Sequence, residues 1–252
     1  MGFRPRLFKM PYAMRVNWNT LKLIGLICCT TVLYAFSDAR NSSRKIRDLR
    51  IHFEEGENLY LTDNMVNKLL IQKYGPLRNV AKERVVLNTI ESVLRTHDMV
   101  KNAQAYLTID GELTTKITQR RPVGRVAVER PFYLDDEGRK MPLSPNHSAR
   151  VPIITGKITG TTLQDAYVIL KYINQDPFLS KNVIGIHIEG ESDYHLKFRL
   201  EHFVVRLGDV TDLDEKFKNF KAFYTKAEQE NTLMSYQVVS LEFENQVVCT
   251  KI

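Results

Sequence analysis

Three histidines, His187, His195 and His202, stand eight and seven residues apart. Zinc sites draw on His or Cys pairs one helical turn apart or on clustered thiols, and these spacings provide neither. His187 and His195 fall on adjoining predicted strands, where exposed or hydrogen-bonded histidines are ordinary. Asp135-Asp136-Glu137 has the composition of a metal or acid–base cluster. Gly138 follows it, and acids ahead of a glycine are what a solvated turn uses. Ser144-Pro145-Asn146-His147-Ser148 brings a hydroxyl near an imidazole without the elbow or the third, orienting group that a nucleophile needs. Gly156 and Gly160 bracket Lys157, but the run GKITGTT lacks the spacing of a phosphate-binding loop. No catalytic residue, metal or cofactor is expected, and hence no enzyme.

What the chain specifies is architecture. Residues 103–123 read AQAYLTIDGELTTKITQRRPV. Ala103, Ala105, Leu107 and Ile109 alternate with polar neighbours, and Leu113 and Ile117 continue the period of two around Thr115, as half-buried strands do. Asp110-Gly111 between them predicts a type I′ hairpin turn. One apolar face has to be covered, and two helices are predicted upstream. Residues 62–74 begin at a capping Thr62, carry Met65, Val66, Leu69, Leu70 and Tyr74 on one stripe, and stop at Gly75-Pro76. Residues 84–97 carry Val86, Leu87, Ile90, Val93 and Leu94 at helical spacing. Leu49, Ile51 and Phe53 alternate as an earlier strand. The order is β-α-α-β-β over about 75 residues, two helices on one face of a small sheet.

This order, and the stretches YLTDNMVNKLL, NTIESVLRTHDMVKNAQAYLTIDGELTTKITQRRPVGRV and FYLDDEGRKMPLS, resemble a POTRA domain in the setting of the FtsQ/DivIB family of bacterial cell division proteins. The resemblance covers residues 46–156 well and the remainder weakly. It implies an α+β fold with four parts: a cytoplasmic tail at 1–22, a transmembrane helix core at 23–36, a POTRA domain at 46–121 and a C-terminal β domain at 122–252.

Residues 23–36 carry no charge, and Arg4, Arg6, Lys9, Arg15 and Lys22 precede them without an acid. Fourteen helical residues span about 21 Å, short of the roughly 30 Å hydrocarbon core; counting from Trp18 gives about 28 Å. A single-pass anchor and a signal peptide cleaved at Ala35-Phe36-Ser37 both fit; the resemblance implies the anchor. Five cations before the segment against a net three after it favour the tail inside. The net charge of +7 does not point to nucleic acid. Ten of the 36 Lys and Arg lie at or before Arg50, leaving 26 against 27 acids from residue 51 onward. A nucleic-acid surface needs its basic excess on the folded part.

Beyond Pro122, strands are predicted at 124–128, 132–134, 139–143 and 151–154, then a helix at 162–174 opened by a Thr162-x-x-Asp165 box. Strands at 183–189, 194–200 and 203–207 follow, then a helix at 213–227 burying Leu213, Phe217, Phe220 and Tyr224 beneath exposed lysines. Strands at 237–243 and 246–250 pair at the end, in a mostly antiparallel sheet. Cys28 and Cys29 lie in the apolar run and Cys249 stands alone, so no disulfide framework is expected.

The resemblance implies a divisome scaffold in the inner membrane at the division septum, with its main domains periplasmic. It would bind FtsB-like and FtsL-like single-pass coiled-coil partners and regulate septal peptidoglycan synthesis without catalysing it. In that family a partner segment adds as a strand beside the last strands. The corresponding edge here is residues 239–245, with Val239, Leu241, Phe243 and Asn245 as contact residues. Phe243 lies near the family's aromatic position and Asn245 near its small polar one, both as substitutions of the family pattern. The alternative is a POTRA-containing chaperone or adaptor in outer-membrane protein assembly. Such proteins carry several POTRA copies or a β-barrel, and this chain has neither pattern.

Overall fold

The computed structural model describes residues 17–42, 44–54 and 59–252. The expected tail, with Arg4, Arg6, Lys9 and Arg15, lies outside the described residues as far as residue 16. Helix α1 (Trp18–Ser42) buries none of its side chains, and its apolar stretch has a mean hydropathy of 1.6. At 1.5 Å per residue its 25 residues reach about 37 Å, well past the predicted core at 23–36. The Lys22 ammonium lies 6.0 Å from the centre of the Trp18 ring, the arrangement of a cation and an indole at an interface.

The next unit is β1 (Asp48–Phe53), α2 (Asp63–Tyr74), α3 (Leu87–Arg95), β2 (Val100–Leu107) and β3 (Glu112–Gln119). The sheet order is β1-β3-β2, with β1 parallel and β2 antiparallel to β3. Thr62 caps α2 through the Met65 N–H, and Gly75 ends it at φ +71°. Val66, Leu70, Ile90 and Leu94 from the two helices pack on Ala103, Ala105, Leu113 and Ile117. Three expectations need correction. Helix α3 starts at Leu87, after a short 3₁₀ turn at Lys82–Arg84, so Val86 is an exposed cap residue and not part of the buried stripe. The hairpin turn is not type I′. The Gly111 N–H donates to the Thr108 carbonyl, and of the turn residues only Gly111, at +86°, has positive φ. This is a turn centred on Ile109 and Asp110 followed by a left-handed glycine, a longer hairpin loop. Ile109 is therefore 81% exposed at the tip and does not continue the inward face.

The rest of the chain builds a nine-stranded mixed sheet. Its strands are β4 (Pro122–Val126), β5 (Phe132–Asp135), β6 (Lys140–Pro142), β7 (Ile153–Gly156), β8 (Val183–Gly190), β9 (Asp193–Phe198), β10 (Val204–Gly208), β11 (Tyr236–Ser240) and β12 (Val248–Lys251). They lie in the order β12-β11-β10-β9-β8-β7-β4-β5-β6. Five of the eight pairings are antiparallel, and three (β4–β7, β7–β8, β10–β11) are parallel. The latter two are crossovers through helices: α4 (Gly160–Gln175) with α5 (Pro177–Asn182), and α6 (Leu213–Gln229). Both step the same way along the sheet between strands of the same direction, so right-handedness puts α4 and α6 on one face. Tyr172 of α4 accordingly stacks on Phe217 of α6 at 5.0 Å. Helix α4 is opened by a reciprocal Thr159–Thr162 capping box and not by Thr162 with Asp165, whose carboxylate accepts the Tyr194 hydroxyl at 2.7 Å. Helix α5 has no counterpart in the sequence reading, although Asp176-Pro177 is a cap followed by proline at the first helical position.

The sheets change at Pro122, but the hydrophobic cores do not divide there. Strand β5 turns Tyr133 into the core of the first unit and Leu134 into that of the second. Met141 joins Tyr133, and Ser144 Oγ donates to the Tyr60 carbonyl at 3.1 Å.

Candidate partner-binding edge

The chemistry-bearing clusters resolve into structural parts. Of residues 135–137, read as solvated acids, Asp136 and Glu137 do reach solvent, but Asp135 is fully buried and corrects the reading at that position. Its Oδ1 accepts the Glu137 and Arg139 N–H groups at 3.0 and 2.7 Å, and its Oδ2 faces Arg139 Nε at 3.1 Å and Arg120 Nη1 at 3.4 Å. His187 and His195 are cross-strand partners on β8 and β9, their rings 6.5 Å apart on the face away from the helices. His147 packs edge-on against Tyr60. Among the described residues no three His, Cys, Asp or Glu side chains are placed to hold a metal ion.

The last two strands and the loop between them hold the predicted contact residues, in an arrangement the sequence did not specify. Strand β11 ends at Ser240 and is paired on both sides. Val239 sits opposite Val205 of β10 and Cys249 of β12, and it is fully buried. Leu241 is buried as well, its N–H bonded to the Arg206 carbonyl. Val239 lies inside the sheet and the Leu241 N–H is already taken, so residues 239–245 are not one continuous edge strand. Residues 241–247 form the loop from β11 to β12. Phe243, 51% exposed, and Asn245, with φ +58°, lie in that loop.

The edge of the sheet at this end is β12; the far edge is β6. The Ile252 N–H donates to the Ser235 carbonyl, which fixes the phase of the strand. Backbone groups alternate along an antiparallel strand, so Thr250 and Val248 also point theirs toward β11, and Cys249 and Lys251 point theirs outward. Cys249 turns its side chain to the core, where burial pushes its thiol pKa up, and Val248 is 42% exposed on the opposite face. Beside the head of β12, the 241–247 loop and the β10–α6 connection enclose a cleft of about 410 Å³ lined by Phe243, Asn245, Asp209 and Glu215. Lys216 closes one wall by bonding Asp209 at 2.6 Å; with Thr211 it holds that carboxyl below the ordinary carboxylate range.

A family model described as FtsQ/DivIB, C-terminal related matches residues 121–250, just over half of the chain, from β4 into β12. The chain belongs to the FtsQ/DivIB family. It is thus a cell division protein of the FtsQ kind, from a family of non-catalytic scaffolds that interact with other division proteins. No curated protein matches the chain by sequence. One apolar N-terminal helix and membership of this family fit a single-pass membrane protein. Sequence reasoning missed β12 as the edge because strand order is a tertiary property. The signal within reach was the predicted helix between β10 and β11, which implies a parallel crossover and leaves the final strand outermost.

Proposed function

We propose that this protein is a bitopic divisome scaffold whose outer edge strand, β12, receives a strand from a coiled-coil partner of the FtsB or FtsL kind. In this reading the N-terminal tail is cytoplasmic, α1 crosses the inner membrane, and a POTRA domain (46–121) and a β domain (122–252) stand in the periplasm at the septum. There the protein regulates peptidoglycan synthesis through its partners. The observation that carries the reading is the outward-facing backbone of Cys249 and Lys251 at the end of a nine-stranded sheet. A row of unpaired N–H and C=O groups is what an added strand uses for affinity, with neighbouring side chains supplying selectivity. Phe243 stands half exposed at the head of that row, suited to an aromatic anchor for the incoming segment, with Asn245 beside it. Val239 and Leu241 support the edge from within.

The test separates the edge from the core. Lys251→Pro removes one outward N–H at a position where an edge strand tolerates proline. Phe243→Ala removes the anchor without opening a cavity. Both variants should melt like the parent and lose co-purification with the coiled-coil partner. Full binding by the folded double variant would overturn strand addition at β12.

A further inference from the structure

We infer that the tip of the β2–β3 hairpin is a second membrane contact, an apolar turn residue set in a cationic collar that fits anionic phospholipid headgroups. The inference rests on the reading of α1 as a membrane span. If Trp18 marks one interface, the roughly 30 Å hydrocarbon core is crossed by about residue 38, and the last turn of α1 lies in the headgroup layer. The chain does not then drift away. The Arg44 carbonyl accepts the Lys82 N–H, Ile46 is fully buried and exchanges hydrogen bonds with Asn79 and Val80, and the Arg47 N–H donates to the Gly111 carbonyl. Lys82 Nζ also reaches Asn41 of α1 at 3.3 Å. The unit is therefore docked within a few residues of the membrane exit.

The hairpin tip is what this docking brings there. Arg44 Nη1 donates to the Ile109 carbonyl at 2.8 Å, so the turn lies against the segment leaving α1. Ile109 projects with 81% of its surface exposed, although a polar residue would serve a turn in water equally well. Around it Arg44, Lys45 and Arg47 face the single acid Asp110 across one cleft. Of the nearby carboxylates, Asp48 and Glu112 are already matched by Arg78 and Arg50, and Asp38 shares a cleft with Arg40 and Arg44, which leaves Lys45 and Arg47 in excess of Asp110. Cations at headgroup depth attract anionic lipid, and an isoleucine between them can enter the acyl boundary. Contact at the tip, in addition to the anchor, would fix how the unit leans on the bilayer and so how far β12 stands from it.

The chain's single tryptophan makes the test direct. Full-length protein carrying Trp18→Phe and Ile109→Trp is placed in lipid nanodiscs, and tryptophan quenching by lipids brominated near the headgroup is read. Discs containing phosphatidylglycerol should quench the tip several-fold more than pure phosphatidylcholine discs. Adding Lys45→Gln and Arg47→Gln, which leave the docking backbone in place, should lower the tip-bound to tip-free ratio on the order of tenfold. Equal quenching in both disc types would overturn the headgroup recognition. A solvent-like tip in both, with Trp18 of the unaltered chain still quenched, would overturn the contact and leave the anchor standing. Loss of quenching at Trp18 as well would sink the anchor reading and this inference together.

Discussion

Replacing Asp135 with alanine tests whether the two units are held as one body. The carboxylate is fully buried and accepts four hydrogen bonds, two from backbone N–H groups and two from arginines. Truncation leaves those amides without an acceptor and Arg120, whose side chain is 15% exposed, without its counter-ion. Removing one partner of a buried pair costs about 3–5 kcal/mol. The lower end applies here, because Arg139 is 43% exposed and can turn to water, and Arg120 Nε keeps its bond to the Val100 carbonyl. For about 200 folded residues, roughly 3 kcal/mol corresponds to a fall in Tm of about 6–12 °C. The neighbouring Asp136–Lys101 pair is about a third exposed on both sides, and Asp136→Ala should cost under about 1 kcal/mol. Melting of the full-length protein in detergent, followed by near-UV circular dichroism, compares the two. A single transition is expected throughout, since Tyr133 and Leu134 tie one strand into both cores. An Asp135→Ala variant no less stable than Asp136→Ala, or two separate transitions in the parent, would refute this account.

Three further outcomes are expected. Gly111→Val forces a β-branched residue to φ +86° and brings its Cβ to 2.7 Å from the Lys45 carbonyl, so it should destabilise the first unit by about 1–3 kcal/mol; an unchanged melt would mean the turn rearranges freely. The Asp209 carboxyl is depressed by Lys216 and Thr211, so its stabilisation is complete above the unfolded value of about 3.9 and fades as pH falls through the lower folded value. Lys216→Met should therefore soften the acid fall in Tm below about pH 4, and an identical acid limb in the variant would contradict it. Protease added to spheroplasts should digest the large outer region; its protection, or its release as a soluble form beginning after Ser37, would overturn the proposed topology.

Local pattern carried the reading of the first unit. The capped stripe of α2, the alternation of β1, β2 and β3, and the glycine stop at 75 are each written within a dozen residues, where the periods of 3.6 and 2 are unambiguous. Errors fell where two local solutions share one sequence. Asp110-Gly111 serves a two-residue I′ turn or the end of a longer loop equally well, and the choice is made by the Lys45–Arg47 segment docked against Gly111. The Asp135 cluster was misjudged for a related reason. An Asp-Asp-Glu-Gly turn is normally wet, as Asp136 and Glu137 are here; Asp135 alone is dry, with Arg120 arriving from just past β3 to join Arg139 on its carboxylate.

The partner edge was out of reach for a deeper reason. Val239, Leu241 and Phe243 alternate in one phase, as an amphipathic edge strand would, so composition alone assigns them a common role. The sheet separates them. Helix α6 returns the chain parallel to β10, which makes β11 an interior strand and buries Val239; the strand then stops at Ser240, whose Oγ accepts from the Glu242 N–H and donates to the Glu242 carboxylate. Past that stop Phe243 is freed from the alternation and left half exposed. The open backbone passes to β12, the closing strand expected at 246–250, whose place at the edge no periodicity reveals. An edge strand that short, ending on Thr250 and Lys251, is also how a sheet avoids indiscriminate pairing. In the proposed reading its selectivity comes from outside the strand, from the half-exposed Phe243 at its head.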